Sequence, residues 1–307
     1  MHLDLFLVLG SAVVGLLVGL TGVGGGALMT PMLVLLFGVT PTAAITSDLV
    51  AALFMKPAGV AIHWRRKTVN TRIVRYLCYG SLPGAFAGTY ALHLMGESAV
   101  AEHRLQILLG AALIIGAVSM LLRSLVASSR HPNGDIVVRR AVTVAIGAVG
   151  GFMVGLTSVG AGSLIVVLLV FIYPNLRNDQ LVGTDLAQSV PLTLSATLGT
   201  LLFSHVDFSL TTSIIVGSVP AVIIGALLSS RSNGLLLRRI IMGAVLLSGL
   251  KYVGFTTDAL GVAALVVAAG VTVLSVRDLR RAKDDLLVAE PVEDVVALLP
   301  ARLDSDA

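Results

Sequence analysis

The sequence predicts an all-α integral membrane protein: a polytopic helical bundle of two inverted five-segment repeats, with short broken helices after glycine-rich turns and one extra helix towards the C-terminus. Three observations predict it. Hydrophobic residues make up 56% and charged residues 12% of the 307 positions, with a mean hydropathy of +0.96, whereas soluble domains carry about a quarter charged residues. Apolar runs recur along the chain, most of them approaching the roughly 20 residues needed to cross a bilayer. The stretch Gly19 to Ala27, G-L-T-G-V-G-G-G-A, is written a second time at Gly155 to Ser163, G-L-T-S-V-G-A-G-S.

The first half contains runs at Leu3 to Leu20, Ala27 to Phe37, Ala43 to Trp64, Ile73 to Met95 and Leu105 to Leu122. The second contains Ala141 to Leu156, Leu164 to Tyr173, Leu181 to Phe203, Leu210 to Leu228 and Leu235 to Leu250. An eleventh run, Leu260 to Val276, has no counterpart. The second run of each half is too short to span and follows a glycine break, so each is expected to return part-way or lie tilted. The repeat extends beyond the glycines. Asp48-Leu49 matches Asp185-Leu186, and Gly80-Ser81-x-Pro83 with Gly88 matches Gly217-Ser218-x-Pro220 with Gly225. The organisation that follows is a first membrane repeat over 1–127, a cytoplasmic hinge loop over 128–140, a second membrane repeat over 141–256, an extra transmembrane helix over 257–276 and a cytoplasmic tail over 277–307.

Charge gives the orientation. All lysines and arginines except Arg104, Lys251 and Lys56 fall on one side if each half crosses an odd number of times. By the positive-inside rule that side is cytoplasmic and the N-terminus lies outside. The start, Met1-His2-Leu3-Asp4, lacks the basic region of a cleavable signal, so the first helix is expected to persist. The net charge of +4 resides in short loops, which argues against nucleic acid as a partner. Cys78 is the only cysteine, leaving no disulfide framework and no thiol pair for a metal. The tail opens basic and turns acidic at Asp284, Asp285, Glu290, Glu293 and Asp294, a pattern suited to the membrane surface and solvent. No cofactor is expected. The bilayer and a small anion are the expected partners, and a homodimer is compatible with the chain.

Non-helical backbone at bilayer depth persists only where it is buried in protein or lines a cavity, and paired breaks in two halves point to a transporter's central site. A phosphate loop would need Lys-Ser/Thr after the glycines, and neither copy has it. Where a broken helix restarts, its first amides lack partners and carry a partial positive charge. That makes Gly24, Gly25, Gly26, Gly160 and Gly162 candidate anion ligands, with the hydroxyls of Thr21, Thr157 and Ser158 beside them and Ser163 near. The competing reading is that these glycines allow tight packing and the hydroxyls bond to the preceding turn. Asp48 and Asp185 are repeat-related carboxylates, readable as proton or gating groups or as first-turn caps. Lys56 lies mid-run before Pro57, too deep to snorkel easily. On an ideal helix it stands about 12 Å along the axis from Asp48, so its partner is expected elsewhere: a carboxylate, a carbonyl, water or the substrate. Its repeat counterpart is Thr193. Gln188 shares a helix side with Asp185 and is a candidate donor to an oxyanion. His63, beside Trp64, is a candidate proton-release group or an interfacial residue.

The repeated G-L-T-x-V-G-x-G, the aspartate in the third segment of each half and the W-R-R-K-T-V-N stretch after the third segment resemble the TauE/SafE family of sulfite exporters, over Leu3 to about Leu250. The resemblance implies secondary transport of small sulfur-containing anions such as sulfite, thiosulfate or organosulfonates. It implies no enzyme activity. Lys56 and His63 do not belong to a general pattern of that family. Three rivals remain open from the residues: an uncoupled anion channel, an intramembrane enzyme with Ser158 or Ser163 as nucleophile and His205 as base, and a membrane subunit needing a soluble partner.

Overall fold

A computed structural model of the chain describes residues 4–22, 24–65, 68–96, 98–127, 137–160, 164–228 and 234–272. Gly162, Ser163, most of the hinge loop and the tail lie outside them. The described residues form eleven helices and no strand: α1 (Leu5–Thr21), α2 (Gly26–Leu35), α3 (Pro41–Arg65), α4 (Thr71–Met95), α5 (Ala99–Ala127), α6 (Arg140–Thr157), α7 (Leu164–Ile172), α8 (Asn178–Phe203), α9 (Phe208–Leu228), α10 (Gly234–Val253) and α11 (Thr257–Thr272). Ten of them lie within a compact unit, Met1–Leu260. Most of α11 belongs to a second unit, Gly261–Ala307. Among the described residues, α5, α6, α8 and α9 contain spans long and apolar enough to cross a membrane by length and composition.

The short second segments of each half are the short helices α2 and α7. The break before α2 forms because Gly22 takes a left-handed conformation, φ 67°, and ends α1. At the matching point Ser158, φ 58°, ends α6. A non-glycine residue pays conformational strain there, so its retention calls for a compensating contact, which the site supplies.

Two helix pairs dominate the packing, α4 with α6 and α1 with α9. Both pairs run parallel and touch backbone to backbone through glycine. A Cβ at Gly80 would stand 1.9 Å from the Val144 carbonyl oxygen, and one at Gly155 2.1 Å from that of Ala85. In the other pair a Cβ at Gly217 would stand 2.2 Å from the Val8 oxygen, and one at Gly19 2.3 Å from that of Val222. Each of these contacts is the other's image when the repeated positions are exchanged. Close approach of small residues is how helices associate where the surrounding solvent is itself apolar. The remaining large contacts obey the same exchange: α5 meets its counterpart α10, α3 meets its counterpart α8, and α4 on α8 mirrors α9 on α3.

Candidate functional site

α3 and α8 cross antiparallel at the centre of the larger unit. Thr197 of α8 donates to the Leu49 carbonyl at 3.0 Å, and the Lys56 ammonium donates to the Thr193 hydroxyl. Lys56 and Thr193 are counterparts in the repeat, and two counterparts that touch each other must lie on the axis relating the halves. The sequence leaves four candidate partners for Lys56; the hydrogen bond found is to a fifth, a hydroxyl from its own counterpart, while a carboxylate, Asp185, faces it across a shared cavity. Inserting a lysine at the centre of a membrane helix costs about 3 kcal/mol on insertion scales, so a single hydroxyl is modest compensation. Asp185 and, to a lesser degree, Asp48 add electrostatic attraction.

The two aspartates sit in different surroundings. Asp48 is fully buried. Its Oδ2 accepts from Ser158 Oγ at 2.6 Å and from Thr30 Oγ1 at 3.1 Å. That is the contact holding Ser158 in its left-handed conformation. It ties α3 to α2 and to the break after α6 in one cluster. Gly26 completes it, because a Cβ there would stand 1.9 Å from the Ser158 carbonyl oxygen. The two glycine breaks are therefore in contact. Asp185 is 2% exposed and borders a cavity of about 70 Å³, lined also by Lys56, Ser189, Gly22, Gly24 and Gly25. The remaining walls are apolar, including Val18, Ala52 and Met55. Such a volume suits a few waters or a small oxyanion. Neither aspartate acts as a first-turn cap: Asp48 lies two turns into α3, and α8 begins at Arg177 and Asn178.

Of the other candidates, Gly24 and Gly25 reach the cavity with Lys56. Thr21 donates its hydroxyl to the Leu17 carbonyl at 2.6 Å and Thr157 to that of Met153 at 2.7 Å, the bonds to the preceding turn that serine and threonine make inside helices. Gln188 is buried and donates to Ser81 Oγ at 2.7 Å, away from the cavity lining. Gly160 adopts φ 124° beyond the end of α6. His63 lies on α3, its side chain outside the described residues. His205 is exposed between α8 and α9, while the Ser158 hydroxyl is given to Asp48. Among the described residues no cluster of His, Cys, Asp and Glu could hold a metal ion.

A family profile described as sulfite exporter TauE/SafE matches residues 7–252. The chain belongs to the TauE/SafE family. A relative in Bacillus subtilis (strain 168), the probable membrane transporter protein YjnA, is 40% identical over 247 residues, covering 78% of this chain and 96% of that protein. A probable membrane transporter protein of Xylella fastidiosa (strain 9a5c) is 30% identical over 237 residues, covering 74% and 86%. The B. subtilis protein YdhB, also a probable membrane transporter, is 22% identical over 214 residues, covering 69% and 84%. No solved structure matches. The chain is an integral membrane protein and a membrane transporter of the TauE/SafE family. Within that frame, sequence reasoning passed over Thr30 and Ser189. Ser189 lies one turn beyond Asp185 and counterpart to Ala52, a polar-for-apolar exchange within the repeat that was readable in advance. Thr30 has an apolar counterpart, Val166, and the same comparison would have found it.

Proposed function

We propose that the protein is a secondary transporter that moves small sulfur-containing anions, such as sulfite, thiosulfate or organosulfonates, across the cytoplasmic membrane by alternating access linked to protons. The N-terminus lies outside and the C-terminus in the cytoplasm. The observation that carries the reading is the cavity shared by the Lys56 ammonium and the break at Gly24 and Gly25. It joins a cation at the repeat axis to the start of a broken helix, whose first amides favour negative charge, as in other transporters with discontinuous helices.

Two further features support the finer points. The repeat image of this cavity would be bounded by Asp48, Thr193, Val154, Gly155, Ala85 and Thr89. These positions are packed and buried. A cavity on one side with these packed counterparts on the other is the asymmetry expected of a single state in an alternating cycle. Charge balance supports the proton link. Asp185 and Asp48 already outnumber the Lys56 ammonium, so an entering monoanion adds negative charge in apolar surroundings, and a proton taken up on Asp185 offsets it.

The test is uptake of radiolabelled sulfite, thiosulfate and sulfoacetate into proteoliposomes with and without an imposed pH gradient. Gradient-driven flux of at least one anion that Asp185→Asn renders insensitive to the gradient is the expected result. Flux that ignores the gradient in the unaltered protein would identify an uncoupled channel instead.

A further inference from the structure

A second cavity, independent of the axis, opens where α4 and α6 begin. It has a volume of about 510 Å³ and is bordered by Thr71, Arg72, Arg75, Tyr76 and Arg140, with Val137 and Val138. The parallel pairing of α4 and α6 places both helix starts side by side, so three guanidinium groups and two helix N-termini converge on one cleft. Arg140 stands over the Tyr76 ring at 5.8 Å from its centroid. All three arginines are exposed, and among the described residues no carboxylate pairs with any of them; the ion pair found there joins Arg177 and Asp179.

The repeat supplies an internal comparison. The image of this cleft lies at the starts of α9 and α1. There Arg72, Arg75, Tyr76 and Arg140 correspond to Ser209, Thr212, Ser213 and Asp4. The same backbone packing is achieved in that pair with no cation, and Asp4 instead caps α1 by accepting from the Phe6 and Leu7 amides. The three arginines are therefore not required by the helix pairing. Below them the same face of α4 turns apolar and stays exposed: Tyr79 and Phe86 follow Arg72 and Arg75 at helical spacing and are 63% and 37% exposed. A charged cleft above an exposed apolar stripe on one helix face matches the two ends of a phospholipid.

We propose that this cleft binds the phosphate of an anionic phospholipid headgroup, Arg72, Arg75 and Arg140 holding the phosphate oxygens and the α4 stripe lying along an acyl chain. Guanidinium groups hold phosphate by paired hydrogen bonds, and basic pockets between transmembrane helices are known to suit anionic headgroups. The experiment is native mass spectrometry of the detergent-solubilised full chain titrated with phosphatidylglycerol, phosphatidylcholine and inorganic phosphate, for the unaltered protein, Arg72→Gln/Arg75→Gln, and Arg104→Gln as an arginine outside the cleft. Saturable phosphatidylglycerol binding that weakens about fivefold for each arginine removed, with phosphatidylcholine bound no better in either form and Arg104→Gln unchanged, is the expected result. Equal phosphatidylglycerol binding by the double variant overturns the site. Saturation by inorganic phosphate that displaces the lipid would assign the cleft to a free anion and overturn the lipid as its source. Thermal unfolding of both variants without lipid, expected to match the unaltered protein, separates lost binding from lost folding.

Discussion

At the residue scale the decisive feature is a cation on the repeat axis touching its own counterpart. A side chain at that point is reached equally from α3 and α8, so the ammonium need not come from position 56. Lys56→Thr is expected to cut anion flux in proteoliposomes by at least about a hundredfold, the loss of a buried charge-assisted contact worth roughly 3 kcal/mol. The exchange Lys56→Thr with Thr193→Lys restores the same pair from the opposite helix, and part of the flux is expected to return. Flux as low in the exchanged protein as in Lys56→Thr would show that the ammonium acts through a contact peculiar to α3. Ser158 is the second residue of consequence. Its hydroxyl donates to Asp48 at 2.6 Å while its backbone sits in the left-handed region. Ser158→Gly relieves the conformation and removes the bond, whereas Ser158→Ala removes the bond and keeps the strain. Ser158→Ala is therefore expected to be the less stable of the two in thermal unfolding, by about 1 kcal/mol.

At the element scale the two parallel pairs, α4 with α6 and α1 with α9, set how far the halves can slide. Gly80→Ala forces a Cβ to 1.9 Å from the Val144 oxygen, and separating two backbones in a packed interface costs about 1–3 kcal/mol or more. Gly261→Ala meets no atom within 4 Å and is expected to be neutral or slightly stabilising. A clear drop in unfolding temperature for the first and none for the second is the expected outcome. These pairs also mark where the sequence is legible. The eleven segments and both short helices can be read from apolar run length and the glycine breaks, because burial in a bilayer constrains composition directly. The ends of α5 cannot, since Ala99 to Arg104 is polar enough to read as a loop and becomes helical through its own cap. Ser98 supplies it by accepting from the Ala101 amide at 3.2 Å. The site was legible in its parts and not in its pairings. Lys56, Asp48, Asp185 and the first break stand out because charges and glycines are scarce in such segments. That Thr21 and Thr157 turn their hydroxyls back along their own helices depends on rotamers, which spacing does not encode.

At the scale of the whole repeat pair the two halves are alike in contacts, while a residue lining the cavity and its counterpart differ in burial. Ala226 borders the open cavity; its counterpart Thr89 is fully buried, donating to the Phe86 carbonyl at 2.8 Å. If the halves exchange environments during transport, a thiol at each position should exchange reactivity. With Cys78 replaced by Ala, and with the N-terminus outside as proposed, Ala226→Cys is expected to react with a membrane-impermeant maleimide in inside-out vesicles, because the cavity is lined by the end of α1 and the first half of α8. Thr89→Cys is expected to stay unreactive from both faces in the absence of substrate. In the proposed cycle a transported anion at acidic pH populates the opposite state, so Thr89→Cys should gain reactivity from the opposite face while Ala226→Cys loses it. The two changes should track each other across anion concentration, because a rigid rocking motion cannot open one cavity without closing its image. Reactivity at both positions together, from opposite faces, would describe a continuous pore, and the alternating cycle would then have to be abandoned.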